Sequence, residues 1–272
     1  VDREGLAIQL HRGRGEYLTG DGALQINTII HGDCLEVMPL IPDKSIDMVL
    51  CDLPYGTTQC KWDTVIPFEP LWKEYERICN GVIVLTASQP FTSALVMSNV
   101  SNFKYDMCWR KSNTVGFLNA KKRPLRQHED ILIFCYGVPP YNPQFFVKPS
   151  HRAAQKTVMT ETCGKFTEGV FRSVGTDVGY PRSVVEFSTA YHAREAGLHP
   201  TQKPVALFEY LIRTYTNEND VVLDNCIGSG TTAIACINTK RNFIGIEKEE
   251  KYCQVAEERI RVLRSGVINA GS

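Results

Sequence analysis

Apolar residues fall along the chain in short unbroken runs separated by polar turns that carry glycine or proline. Segments 27–30, 46–51, 81–85, 105–109, 131–135, 221–223 and 243–246 are all of this kind. Continuous rather than alternating hydrophobicity is the mark of strands covered on both faces. Between some of these runs the spacing changes to three and four. Leu207, Phe208, Leu211, Ile212 and Tyr215 make one such stripe, with Pro204 near its first turn, and Tyr252, Val255, Ala256, Ile260 and Leu263 make another. Each predicts a helix with one buried face. Strands and helices alternating in this way predict an α/β layer fold on a largely parallel sheet.

The pattern fails in two places. Residues 138–198 are rich in Pro, Gly, Ser and Thr and show few periodic runs. A stretch of that length is too long for an ordinary connection, so it reads as an inserted lobe that carries function. Residues 1–26 are glycine-rich without periodicity and are expected to be poorly ordered. The expected organisation is therefore a main domain from 27–137 and 199–265, interrupted by the lobe.

Composition narrows the class without naming it. With 272 residues, 43% of them hydrophobic, the chain can bury a large core. No apolar stretch approaches the roughly 20 residues needed to cross a bilayer, and the opening Val1-Asp2-Arg3-Glu4-Gly5 leads into no apolar leader. The expectation is a cytoplasmic protein without membrane contact. Ten cysteines lie mostly inside apolar runs, none spaced Cys-x-x-Cys and none with a histidine at ligand spacing. They read as free thiols, and no metal site is expected.

Candidate chemistry begins at a glycine loop. Asp224-Asn225-Cys226-Ile227-Gly228-Ser229-Gly230-Thr231-Thr232-Ala233 follows one strand run and opens a helix, and Glu247 ends the next strand. Gly-x-Gly-x-x-Ala fits a dinucleotide fingerprint, with Glu247 placed for ribose hydroxyls. Asp224 at the strand tip would repel a pyrophosphate and attract a cationic ligand. S-adenosylmethionine has an ammonium, a sulfonium and no phosphate. Both it and a nicotinamide cofactor remain open from this loop alone.

A second strand run ends in Asp52-Leu53-Pro54-Tyr55. Pro54 biases Leu53 towards an extended conformation, which holds the Leu53 carbonyl outward as a rigid acceptor. A carboxylate, a free carbonyl and an aromatic face suit an exocyclic aromatic amine such as adenine N6 or cytosine N4. Hydrogen bonds from its N–H groups to Asp52 and Leu53 would favour a pyramidal, nucleophilic nitrogen. Tyr55 would stack on a base taken out of the duplex. Trp109, with Arg110 and Lys111 beside it, is a candidate border of that pocket, whereas His128 and Glu129 read as residues that position the following strand.

Asp52-Leu53-Pro54-Tyr55, then His199-Pro200-Thr201-Gln202-Lys203-Pro204, then Asp224 to Thr232, resembles in that order the β class, the permuted amino-methyltransferases of DNA. The resemblance implies a Rossmann-like, seven-stranded S-adenosylmethionine-dependent methyltransferase sheet with an inserted target-recognition lobe. It implies that Asp224, Gly228, Ser229, Gly230 and Thr231 form the cofactor loop and that Glu247 is the ribose acid. Asp33 and Cys34 match the pair beside the cofactor adenine, and His199, Thr201 and Lys203 match the segment over its methionine end, with Asp52 shared between cofactor and base. The second motif position is usually Pro in that family and is Leu53 here. Asp at the first position resembles the adenine N6 enzymes, where the cytosine N4 enzymes usually carry Ser. Cytosine N4 methylation, an RNA or protein amide acceptor, and an inactive cofactor-binding subunit stand as alternatives. Cytosine C5 chemistry is disfavoured, because no cysteine follows a proline. A bacterial or phage enzyme that forms a homodimer is what the resemblance further implies.

Charge was neutral in total, with thirty Lys and Arg against thirty Asp and Glu, but its distribution is not. Residues 104–203 hold fifteen basic and eight acidic side chains, net +7, which leaves −7 for the rest. Lys121, Lys122, Arg123 and Arg126, then Lys148, Arg152, Arg172 and Arg182, are the candidate contacts to double-stranded DNA.

Overall fold

The computed structural model describes residues 25–58, 60, 63–147, 178–188 and 202–266. It divides into two compact units, Pro143–Arg182 and a larger one formed by the residues on either side. The described part of the smaller unit is an antiparallel pair, β6 (Phe146–Val147) with β7 (Val178–Gly179). Phe145 packs edge-on against Tyr180 there, and the Arg182 guanidinium lies 4.9 Å from the Phe146 ring centroid.

The larger unit is built on one sheet. Its strands are β1 (Thr28–His31), β2 (Ile46–Cys51), β3 (Cys79–Ala87), β4 (Phe103–Val115), β5 (Arg126–Cys135), β8 (Val184–Phe187), β9 (Val221–Asp224) and β10 (Asn242–Glu247). Their spatial order is β1-β10-β9-β2-β3-β5-β4-β8. The first five neighbours run parallel, and β5 is antiparallel to both β3 and β4. Among the described residues six α-helices complete the unit: α1 (Cys34–Val37), α2 (Phe68–Ile78), α3 (Phe91–Ser98), α4 (Val205–Tyr215), α5 (Thr231–Thr239) and α6 (Glu250–Arg264).

The unbroken apolar runs have a direct cause in this arrangement. Val49, Cys51, Ile83 and Leu85 face one core with Leu71, Tyr75, Phe91 and Leu95 from α2 and α3. Met48, Leu50, Val82 and Val84 face a second core with Leu207, Leu211, Ala233 and Ala256 from α4, α5 and α6. From 48 to 51 and from 82 to 85 every residue of these central strands meets a helix layer on one side or the other, so alternation disappears.

Among the described residues the sheet has eight strands, one more than the seven expected. The addition is β8, which pairs with β4 at the edge and lies inside the span expected to be inserted lobe. Only Val185 of its four residues is buried, so an edge strand covered at one position left no apolar run to read. Helix α2 also went unread, although Leu71, Trp72, Tyr75 and Ile78 are buried at helical spacing. Among the described residues no helix is long and apolar enough to cross a membrane.

Candidate active site

A cleft of about 940 Å³ opens along the carboxyl ends of the parallel strands, where ligands bind in open α/β sheets. Asp33 follows β1, Glu247 ends β10, Asp224 ends β9, Asp52 follows β2 and Ser88 follows β3; all five line it. Because β5 runs antiparallel to β3, with Ala87 opposite Asp130, the beginning of β5 comes to the same edge and adds Arg126 and Glu129.

At one end the carboxylates are held by their own neighbourhoods. Asp224 accepts from the Cys226 backbone N–H at 3.0 Å and from the Thr232 hydroxyl. Burial pushes its carboxyl up to about 7, against the pull of those two donors. Glu247 accepts from the Gly228 and Glu249 backbone N–H groups, each at 2.8 Å, and burial again raises its carboxyl above the ordinary range. Asp33 caps α1 through the Leu35 N–H at 3.0 Å and pairs with Lys248 at 3.0 Å. Cys34 is buried next to it, and its hydrogen bond with Cys226, together with burial, holds its thiol far above the usual thiol range.

Two glycines shape this loop. Gly228 and Gly230 have φ of 52° and 85°, a region that side chains with a Cβ avoid. A Cβ on Gly230 would lie 2.8 Å from that of Ala256, so the glycine also lets α5 start directly against α6. Ser229 lies within 3.4 Å of Gln202 and Thr231 within 3.4 Å of the Lys203 carbonyl, which ties the loop to the segment before α4.

The donor set tests what could fit. Asp33, Asp224, Glu247 and Glu249 line this end, and the single lysine among them, Lys248, is paired to Asp33. Four carboxylates and one paired cation disfavour phosphate and favour a cationic ligand with hydroxyls to donate, the chemistry of S-adenosylmethionine.

The other end is a side-chain network. Asp52 Oδ1 accepts from the Tyr55 hydroxyl at 2.8 Å and from the Thr86 hydroxyl, while Oδ2 accepts from Lys203 Nζ at 2.5 Å. Lys203 also pairs with Glu129 at 3.3 Å, and Lys111 pairs with Glu129. Burial pushes the Lys203 amine down, but Asp52 and Glu129 push it up further, so the ammonium stays charged. Tyr55 stacks on Phe91 with ring centroids 5.2 Å apart. Leu53 is buried in the core, and Trp109 donates to the Phe187 carbonyl at 3.0 Å while lining the cleft.

A carboxylate offers about four acceptor positions. Among the described residues three on Asp52 are taken, two on Oδ1 and one on Oδ2, which leaves one on Oδ2. Glu129 Oε2 is buried, and its partner is the Lys203 ammonium at 3.3 Å.

The sequence-predicted residues thus gather unevenly. Asp33, Cys34, Asp52, Leu53, Pro54, Tyr55, Lys203, Asp224, Gly228, Ser229, Thr231 and Glu247 all line one cleft. Lys203 sits on Asp52 and Glu129, an ion pair that its sequence motif did not announce. Lys121, Lys122 and Arg123 are exposed, whereas Arg126 lies in the cleft wall, bonded to the Ser88 hydroxyl and to the Gln89 carbonyl at 3.1 Å. Arg182 is exposed in the smaller unit. His199, Thr201, Lys148, Arg152 and Arg172 lie outside the described residues. Sequence reasoning missed Glu129, which lines the cleft, and Thr86, a buried residue that donates to Asp52. The signal for Glu129 was a charged residue next to a buried strand run, which only the antiparallel direction of β5 converts into a place at the site.

Comparison with known proteins points in one direction. A family profile described as DNA methylase, of the N6/N4 methyltransferase type, matches residues 46–258. The chain is 29% identical over 267 residues to the Type II methyltransferase M.HinfI of Haemophilus influenzae, covering 88% of this chain and 69% of that protein. It is 28% identical over 261 residues to the DNA adenine methyltransferase YhdJ of Escherichia coli, covering 88% and 84%. Among solved structures, M1.HpyAVI in complex with SAM aligns with a TM-score of 0.57 at 28% identity over 85% of this chain and 98% of that one. The cytosine-N4-specific PvuII DNA methyltransferase aligns with a TM-score of 0.58 at 16% identity over 92% and 95%, a likeness of fold.

Proposed function

This chain belongs to the DNA methylase family of N6/N4 type, and from that premise we propose that its target is adenine N6 in duplex DNA, with Asp52 as the acceptor that activates the amine. The methyl donor is S-adenosylmethionine, which when bound supplies a methyl group on a positively charged sulfur. The proposed holders of that donor are Asp224, Glu247, Asp33 and the 228–231 loop.

The carrying observation is the single open acceptor position on Asp52 Oδ2. Tyr55 and Thr86 saturate Oδ1 and fix the carboxylate plane, and Lys203 fixes Oδ2 from one side. The open position then takes an N–H of the base amine, and the Leu53 carbonyl takes the other. As the nitrogen gains positive charge, the Asp52 carboxylate stabilises it. Tyr55, held against Phe91, gives the base a rigid face.

Adenine rather than cytosine is supported by the Asp at the first motif position and by the YhdJ relative, a DNA adenine methyltransferase. A homodimer in the bacterial cytoplasm goes with the same reading. The test is mass analysis of nucleosides from DNA methylated by this protein in a host free of other methyltransferases, followed by sequencing for the modified position. N6-methyladenine is the expected product; N4-methylcytosine would overturn the adenine assignment and leave the family intact.

A further inference from the structure

The turn between β4 and β5 presents its apolar side chains to solvent. Phe117 is 81% exposed and Leu118 95%, and Val115 and Leu125 on either side are also exposed. Soluble proteins leave single apolar residues outside without consequence, but here they cluster on one protruding tip.

The tip is wound, not loose. Gly116 takes φ of 90° and turns the chain into a short 3-10 turn, Phe117–Asn119. Asn119 N–H donates to the Gly116 carbonyl at 2.9 Å, Ala120 N–H to Phe117 at 3.0 Å, and Lys122 and Arg123 N–H groups to Asn119 at 2.8 and 3.0 Å. Phe117 and Leu118 therefore stand on a preformed scaffold, which lowers the ordering cost of inserting them anywhere.

Its surroundings select the occupant. Residues 110–128 contain Arg110, Lys111, Lys121, Lys122, Arg123 and Arg126 and no acidic side chain. Lys121, Lys122 and Arg123 follow the apolar pair directly and are exposed. The strand that leads into the turn contributes Asn113, Thr114 and Val115 to the wall of the active-site cleft, and the strand that leaves it contributes Arg126. An apolar pair, an adjoining cationic surface and continuity with the cleft match a polyanion whose interior is a stack of apolar faces.

We propose that Phe117 and Leu118 form a wedge that enters the DNA base stack next to the target, while Lys121, Lys122 and Arg123 hold the flanking phosphates. This rests on the reading of the chain as a duplex DNA methyltransferase and adds to it the device that opens the duplex. A base within the stack cannot reach Asp52, and extruding it costs pairing and stacking. Apolar side chains inserted between base steps offset part of that cost and keep the vacated space from closing.

The test uses a duplex that carries the site mapped for the parent protein, with the target nucleotide either paired normally or placed opposite an abasic position. Methylation of the paired duplex by the parent establishes the underlying reading independently; its absence would fail that reading and not the wedge. F117S/L118S is expected to lose at least about tenfold in kcat/KM on the paired duplex and to recover towards the parent on the abasic one, where extrusion is cheap. F117W/L118M, which keeps large apolar groups, is expected to stay near the parent on both. Equal loss on the two duplexes, or no loss on either, would overturn the wedge. So would a change in the sedimentation of free F117S/L118S from dimer to monomer, which would make the tip a subunit contact.

Discussion

The two ends of the cleft are held together by different means. At the proposed cofactor end the carboxylates accept mainly from donors close in the chain or across one β-α-β unit, Asp33 from Leu35, Asp224 from Cys226 and Thr232, Glu247 from Glu249 and Gly228, with Lys248 pairing to Asp33 from a remote segment. At the acceptor end Asp52 is fixed by Thr86 and by Lys203, which in turn pairs with Glu129, so that four remote segments meet. Backbone N–H donors are rigid and carry no net charge, so the first end can bind and release a cationic ligand without rearranging. The second end sets a buried Lys203 and a half-buried Lys111 against two half-buried carboxylates, and charges this far from water are tolerated only when they are paired. On the proposed reading, one end suits reversible binding and the other suits holding a carboxylate in one orientation at the moment of reaction.

The comparison predicts that damage at the acceptor end removes chemistry and spares binding. Asp52→Ala is expected to lower the single-turnover rate by about a thousandfold or more, as when a group aimed at developing charge is removed. Calorimetry should show cofactor affinity within a few-fold of the parent, because Asp224 and Glu247 are untouched. Transfer persisting near the parent rate would remove Asp52 from the mechanism, and cofactor affinity falling as far as the rate would make the two ends a single unit.

Glu129 gives a finer cut, since it touches Lys203 and Lys111 and not Asp52. Glu129→Gln leaves both lysines buried with one carboxylate fewer, a change that costs on the order of 3 kcal/mol of stability. It is expected to reduce kcat by about tenfold through the loosened Lys203, with cofactor affinity unchanged. The sign of the accompanying pH effect is fixed. Glu129 raises the Lys203 amine, so its removal lowers that amine and shifts the alkaline fall in activity to lower pH. Glu129→Asp should restore part of the rate and part of the shift. A profile that keeps its alkaline limb in place would confine Glu129 to packing.

The same contrast explains what the sequence discloses. The cofactor end is written in contiguous stretches: a strand, Asp224, a glycine loop and a helix, with Glu247 one strand later. Turn chemistry and strand ends are local properties, so these residues could be grouped as candidates before any fold was known. The strand Asp52 follows was equally plain, because β2 is buried on both faces. The partners of Asp52 were not. Thr86 is an ordinary residue inside β3, and Glu129 reaches the cleft only because β5 reverses direction next to β3. The expectation of a largely parallel sheet gave no direction for this strand, so nothing in the sequence brought its beginning to the carboxyl ends. Similarly β8 is covered at Val185 alone and carries no periodic signal.

The smallest predicted effect concerns the cofactor end by itself, through the raised carboxyl of Asp224. Burial lifts this group to about 7, so near neutrality the empty site holds it partly protonated. A cationic ligand favours the carboxylate form, so binding must expel the proton wherever the pH lies below about 7. Cofactor affinity is therefore expected to be flat above that value and to fall as pH drops through it, by at most about tenfold per unit. Stability of the ligand-free protein should move the other way. A carboxyl whose folded pKa lies above its unfolded one binds more protons when folded, so its contribution favours the folded state increasingly as pH falls from 7 towards the ordinary carboxylate range. Asp224→Asn abolishes both slopes at once while leaving a side chain of the same shape, whose Oδ1 can still accept from Cys226 while its Nδ2 donates to the Thr232 hydroxyl oxygen. Calorimetry in two buffers of different ionisation enthalpy, at a pH near 6.5, counts the expelled proton directly. A parent that releases none, or an Asp224→Asn variant that keeps the pH dependence, would place the charge that receives the ligand on Glu247 or Asp33 and break the assignment of Asp224 as its electrostatic partner.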